Sequence, residues 1–180
     1  MPRLAVPAPE NAPAASQPLL DAVRAGLGGI PNFVRVLALA PTALEGFLGL
    51  YTIANKGALD HATRERIALA VAEANGCEYC VSAHTAIGRK AGLSDGEIAA
   101  ARRGGSSDGK AAAAVRFATA LAVSMGEVTN AEFEAAKGAL TDEEIVEVIA
   151  HAALNIFTNI LGKAARIPID FPKVALLPAA

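Results

Sequence analysis

An all-α fold is what this sequence predicts, and three observations carry the prediction. Apolar residues make up 53% of the chain, dominated by Ala and Leu, and no segment shows the apolar–polar alternation of a half-buried strand. A hydroxyl residue followed three positions later by glutamate can satisfy the first N–H groups of a helix reciprocally, and this pattern occurs at Ser94 with Glu97, Thr129 with Glu132 and Thr141 with Glu144. Gly and Pro, finally, punctuate the chain at helix-length intervals.

Taken in order, residues 1–15 are rich in proline and predict an extended arm, followed by one helical domain over 16–180. Ser16 is the expected cap of the first helix, in which Leu19, Leu20, Val23 and Leu27 recur at helical spacing until Gly28-Gly29. Pro31 and Pro41 suit first-turn positions and predict a short helix through Ala40 and a longer one from Pro41 to about Asn55, with Gly57 closing it. From Asp60 a broad apolar face (Ile67, Leu69, Ala70, Val71) runs to Asn75-Gly76, and a new helix begins near Cys77 and ends at Gly92. Asp108 caps a helix to about Met125, and the three capping pairs open the others. Ile167–Phe171 and Val174–Leu177, spaced by Pro168, Pro172 and Pro178, predict an extended tail.

Sixteen basic residues oppose eighteen acidic ones, a net charge of −2 without any basic run longer than two. That pattern argues against nucleic acid and against a polybasic membrane patch. The N-terminal stretch lacks the apolar core of a signal peptide. The apolar windows Ile67–Ala72 and Val146–Leu161 fall short of the roughly 20 residues a bilayer needs, the second being broken by His151, Asn155 and Asn159. A soluble cytoplasmic protein is the expectation. The surplus of apolar over charged residues (53% against 19%) leaves material for a homo-oligomeric interface.

The informative stretch is Glu73-Ala74-Asn75-Gly76-Cys77-Glu78-Tyr79-Cys80-Val81-Ser82-Ala83-His84. It holds both cysteines of the chain, three apart, and a bridge between them would close almost no loop, so its value is chemical rather than structural. On a helix beginning after Gly76, Cys77, Cys80 and His84 share a face. A thiol titrates near pH ~8.5 and only its thiolate attacks peroxide or disulfide sulfur. The helix N-terminus and an imidazole at i+4 from Cys80 are two devices that lower that pKa, and a second thiol resolves the first through a disulfide. Glu65 and Glu73 on the preceding helix are both candidates for the carboxylate that orients the histidine; spacing alone does not choose. Two plainer readings stand beside this one. A structural zinc site needs four ligands, and His61 and His151 do not form the second pair; two inert core cysteines need nothing further. Elsewhere His151, Asn155 and Asn159 form a polar stripe, read first as satisfied core polar groups and second as pocket lining. Arg102-Arg103 and Asp142–Glu144 read as ordinary helix ends.

The run from Glu65 through eleven residues to C-x-Y-C-x-x-x-H, with Leu154–Asn159 and Ile169–Pro172 later, resembles the alkylhydroperoxidase D-like group of the carboxymuconolactone decarboxylase superfamily, in particular its peroxidase-related subgroup. The resemblance implies an AhpD-like helical bundle assembling as dimers, trimers or hexamers, and a thiol peroxidase without a bound cofactor. It implies that Cys80 is the activated thiol, Cys77 its disulfide partner, His84 the proton acceptor and Glu65 the carboxylate at the far end of the relay. Electrons would come from a reductant protein, an external thiol or a lipoyl group. The best-studied relatives carry histidine between the cysteines, where this chain has Tyr79. Decarboxylases sharing the fold do not use this dicysteine centre, which argues for the redox branch. Two rival functions are a redox-sensing or assembly module without turnover, and a cofactor-free lyase or decarboxylase insensitive to thiol alkylation.

Overall fold

The computed structural model describes residues 1–178, so the last two positions of the expected 16–180 domain lie outside the described residues. Among the described residues there are nine α-helices and no strand: α1 Gln17–Leu27, α2 Asn32–Leu37, α3 Pro41–Ala54, α4 His61–Ala74, α5 Glu78–Lys90, α6 Asp95–Arg102, α7 Gly109–Ser124, α8 Asn130–Lys137 and α9 Asp142–Ala165. The all-α expectation holds.

Helix α4 is the axis of the bundle. Its run Ile67–Ala72 is at most 2% exposed, apolar on every side, and α5, α6, α7 and α9 pack around it. A helix apolar all round must be covered all round. Three apolar clusters result, the smallest being Leu69, Leu93, Ile98 and Ala101 where α4 meets α6. Of the larger two, one joins α4 and α9 to α7 through Val71, Phe117, Ile145 and Val148. The other joins α1–α3, the start of α5 and the C-terminal tail, with Cys77, Tyr79 and Cys80 inside it.

Local signals set most of the boundaries. Asp60, Ser94, Asp108, Thr129 and Thr141 each accept a backbone N–H of the first turn that follows. Thr129–Glu132 and Thr141–Glu144 close the reciprocal box. Ser94 caps, but the Glu97 carboxylate turns away to Arg66, Ser106 and Ser107. Ser16 does not cap α1: its hydroxyl donates to the Ala38 carbonyl at 2.8 Å, a tertiary bond that outcompetes the local one.

The N-terminal arm is interrupted by 3-10 turns at Pro9–Asn11 and Ala14–Ser16 and is tied down, Arg3 N–H donating to Ala165 O and Arg35 Nε to Pro7 O. The tail after α9 is extended, as expected, and crosses the start of α5: Ser82 Oγ receives Val174 N–H at 3.0 Å and Glu73 receives Leu177 N–H at 2.6 Å. Glu73 also pairs with Arg102 at 2.7 Å, which donates to Ala175 O as well. These two residues are therefore a clamp on the tail, not a site carboxylate and an ordinary helix end.

Helix α9 corrects the reading of its apolar window as too short. It runs for 24 residues because His151, Asn155 and Asn159 continue the helix instead of breaking it, and by length and composition it could cross a membrane. Nearly half of its most apolar stretch is buried against α4, α7 and α3.

Candidate active site

Gly76 makes the turn that presents the cysteines. It holds φ 62°, the left-handed region where a side chain costs energy, and lets α5 start one residue after Cys77. Cys77 is the N-cap: its Sγ receives the Cys80 N–H at 3.3 Å. The two sulfurs are joined as a disulfide, and both residues are buried, at 1% and 3% exposure. From the other side α9 brings Gly162, whose missing Cβ would lie 3.2 Å from Cys77 Sγ and 3.7 Å from Cys80 Sγ.

One turn along α5, His84 Nδ1 lies 2.8 Å from Glu65 Oε2 of α4. An ionised carboxylate only accepts, so Nδ1 carries the hydrogen, and in the neutral imidazole it is Nε2 that offers the lone pair. Glu65 is 8% exposed; a buried carboxylate is costly unless paired, and its second oxygen is 3.8 Å from His61 Nε2. The choice between Glu65 and Glu73 is thus decided by interhelix register.

Cys80, His84 and Glu65 all line one cavity of about 720 Å³ between α1, α3, α4, α5 and α9. Cys77 does not line it. The walls are mainly apolar, including Val23, Phe33, Phe47, Ile87 and Leu154. Arg64, Glu45, Tyr51, His151 and Asn155 add polar groups to the lining. The polar stripe of α9 is therefore divided. His151 donates from Nε2 to Ala54 O at 3.2 Å, and burial pushes its pKa down, keeping it neutral. Asn155 donates to His151 O. Asn159 faces away from the cavity, accepting from Asn75 Nδ2 at 2.9 Å.

Tyr79, between the cysteines, is a brace. Its hydroxyl bridges the α2 backbone and Asp170 of the tail; burial and Asp170 raise its pKa, so it stays protonated. Sequence reasoning missed Arg64 and Gly162, which carry no local signal, and held Asp170 only as part of the Ile169–Pro172 run, without its contact to Tyr79. No cluster of three or more His, Cys, Asp or Glu suited to a metal occurs among the described residues.

The profile of the carboxymuconolactone decarboxylase family matches residues 41–123, the span of α3 to α7 that contains Glu65, both cysteines and His84. No curated protein matches the chain. Among solved structures, the chain is similar to an alkylhydroperoxidase AhpD core, a peroxidase-related protein from Ralstonia eutropha JMP134, with 25% identity, TM-score 0.81 and coverage of 94% of this chain and 92% of that one. A peroxidase-related protein from Silicibacter sp. TM1040 shares 22% identity at TM-score 0.80, covering 93% and 91%. The debrominase Bmp8, solved with 2,3,4-tribromopyrrole, shares 22% identity at TM-score 0.76, covering 87% and 86%; the last two likenesses speak for the fold.

Proposed function

Because this chain is an AhpD-like member of the carboxymuconolactone decarboxylase family, we propose that it is a thiol-dependent peroxidase cycling through the Cys77–Cys80 disulfide. The observation that carries the reading is that Cys80, His84 and Glu65 line one cavity, with the imidazole fixed by the carboxylate.

In the reduced protein, His84 Nε2 takes the Cys80 proton and Glu65 stabilises the resulting imidazolium. The thiolate attacks the terminal oxygen of the hydroperoxide. The S–O bond forms as the O–O bond breaks, leaving sulfenic acid on Cys80 and an alkoxide that takes the proton from His84. The Cys77 thiol then attacks the Cys80 sulfur, expelling water and closing the disulfide. An external dithiol or lipoyl group, delivered by a reductant protein, restores the pair by attacking Cys80, the sulfur on the cavity side. Cys77 leaves as a thiolate at the N-cap, where the Cys80 N–H and the α5 N-terminus favour negative charge. A well-stabilised leaving thiolate speeds exchange. This division of labour, attack by Cys80 and departure by Cys77, follows from which sulfur meets the cavity and which caps the helix. The chemistry suits a reducing, cytoplasmic setting, and we place the active form as a homo-oligomer built on α9.

The test is stopped-flow oxidation of the reduced protein by hydrogen peroxide and by cumene hydroperoxide, with thiol counts, for wild type, Cys80→Ser and Cys77→Ser. Expected are loss of oxidation in Cys80→Ser and a trapped sulfenic acid in Cys77→Ser; equal rates in all three would overturn the reading. The aromatic wall of Phe33, Phe47 and Tyr51 favours a second reading, debromination, the activity the Bmp8 name gives. Bromide release from 2,3,4-tribromopyrrole without hydroperoxide turnover would decide for it.

A further inference from the structure

The cavity wall holds a cation that no carboxylate pairs with among the described residues. Arg64 lines the cavity from α4, and its Nη1 donates to Leu59 O at 2.5 Å. Its Nε is buried and has no partner, and among the described residues no carboxylate reaches it at salt-bridge distance. Of the other part-buried guanidiniums, Arg35 is satisfied by the Pro7 and Val6 carbonyls and Asn32 Oδ1, and two have carboxylates. Arg66 has Glu97 at 2.8 Å and Arg102 has Glu73 at 2.7 Å. Glu45 also lines the cavity and forms no ion pair with Arg64, and the carboxylates that act on His151 together with Arg64 are Glu65 and Glu147. Both are committed elsewhere, Glu65 to His84 and Glu147 to the N–H groups of Ala58 and Leu59 at 2.6 and 2.8 Å.

The Nε–H is sealed away from the cavity, so the donor left for an anion is Nη2, which has no hydrogen-bond partner among the described residues; a guanidinium short of partners is costly until one is supplied. Arg offers a planar fork of donors that matches a carboxylate in two places. The neighbouring groups fit the same partner. The Tyr51 hydroxyl, kept protonated by burial and by Glu65, can donate. His151, neutral, adds no competing charge. A few convergent polar groups in an otherwise apolar pocket orient a ligand. Two features thus define the ligand: an apolar body filling about 720 Å³, and one acidic head at Arg64.

We propose that the cavity takes an organic substrate bearing a carboxylate, a fatty-acid-like hydroperoxide in class, and that Arg64 binds that carboxylate while Cys80 meets the peroxide. This rests on the peroxidase reading for the second contact only; the carboxylate contact stands on the cavity.

The experiment uses the full chain, reduced, with the hydroperoxides of linoleic acid and of its methyl ester, which share one apolar body and differ in charge. The quantity read is the ratio of second-order oxidation rate constants, acid over ester. It is expected at tenfold or more in wild type, near one in Arg64→Gln, and between the two in Arg64→Lys. A wild-type ratio near one, or an unchanged ratio in Arg64→Gln with a native circular dichroism spectrum, overturns the proposal. If neither compound oxidises the thiols, the peroxidase reading fails separately. Calorimetric binding of linoleic acid and of its methyl ester to the disulfide form then supplies the same ratio, and equal or absent binding of the acid overturns the proposal.

Discussion

The Tyr79 hydroxyl donates to Oδ1 of Asp170 at 2.9 Å while accepting the Phe33 N–H at 3.1 Å. One side chain between the two cysteines thus holds α2 and the C-terminal tail against the start of α5. Asp170 also receives the Asn32 N–H at 2.7 Å, so the tail, α2 and the redox turn form one hydrogen-bonded unit. Tyr79→Phe keeps the ring and its edge contact with Phe171 but strands the buried Phe33 N–H. A loss of about 1–3 kcal/mol is expected, read from urea denaturation of the disulfide form. Unchanged stability would mean the brace is idle.

Glu65→Gln tests the relay without removing its geometry, since an amide can still accept from His84 Nδ1. What disappears is the charge that stabilises the imidazolium. The rate of Cys80 oxidation is expected to fall about 10-fold or more, within the range of ~10²–10⁴ that positioned acid–base groups contribute. Melting temperature should change little, because an uncharged amide is cheaper to bury than a carboxylate. Oxidation at the wild-type rate would remove Glu65 from the mechanism.

What was legible in the sequence was local. Thr129 with Glu132, Thr141 with Glu144 and the Gly76 turn work through residues within one helical turn, so spacing reveals them. Ser16 and Glu97 carry the same local signals, and tertiary partners claim them: Ala38 O in one case, Arg66 with Ser106 and Ser107 in the other. Glu65 and Glu73 lie two helical turns apart on α4, and only the packing of α5 and α6 assigns one to His84 and the other to Arg102. Gly162 meets the sulfurs across more than eighty residues of chain, a contact without a sequence signature.

The Glu97 carboxylate gives a pH prediction. Bonds from Ser107 and Ser106, with Arg66 beside them, hold its pKa down at about 2, against an ordinary 4.5. A depressed carboxylate stabilises the fold fully above its unfolded pKa. That contribution is lost as pH falls from about 4.5 to about 2. Urea midpoints should therefore be lower in Glu97→Gln than in wild type at pH 6 and converge with it towards pH 2. A gap that persists at the acid end would show that the link between α4, α6 and the α6–α7 loop does not depend on charge.

Gly162→Ala addresses the packing of α9 on the redox pair. In a helix interior alanine is favoured over glycine by about 1 kcal/mol, so a neutral site would gain stability. Here the new methyl would sit 3.2 Å from Cys77 Sγ, inside ordinary contact distance. The expected result is a lower melting temperature for the disulfide form than wild type and slower closure of the disulfide after oxidation. A gain in stability would show that α9 yields without cost.

Helix α9 also carries the assembly prediction. Its outer face exposes Val146, Ile149, Ala153, Phe157, Ile160 and Ala164, a straight stripe at the helical period, and no charged residue interrupts the chain between Glu147 and Lys163. Phe157 continues the stripe onto Phe47 and Tyr51 of α3, at the cavity wall. The stripe is nearly symmetric about residue 155, so an antiparallel second copy would set Val146 by Ala164 and Ala153 by Phe157. The charges agree with that direction: exposed Asp142 and Glu143 at one end of α9 would lie near exposed Lys163 and Arg166 of the other copy. Ile160→Glu, on a position already 59% exposed, disturbs no internal packing yet places two carboxylates in the joint. Light scattering after size exclusion should show an assembly in wild type and a smaller species, with an unchanged helical spectrum, in the variant. A monomeric wild type, or an assembly indifferent to the charge, would leave this face without a partner of its own kind.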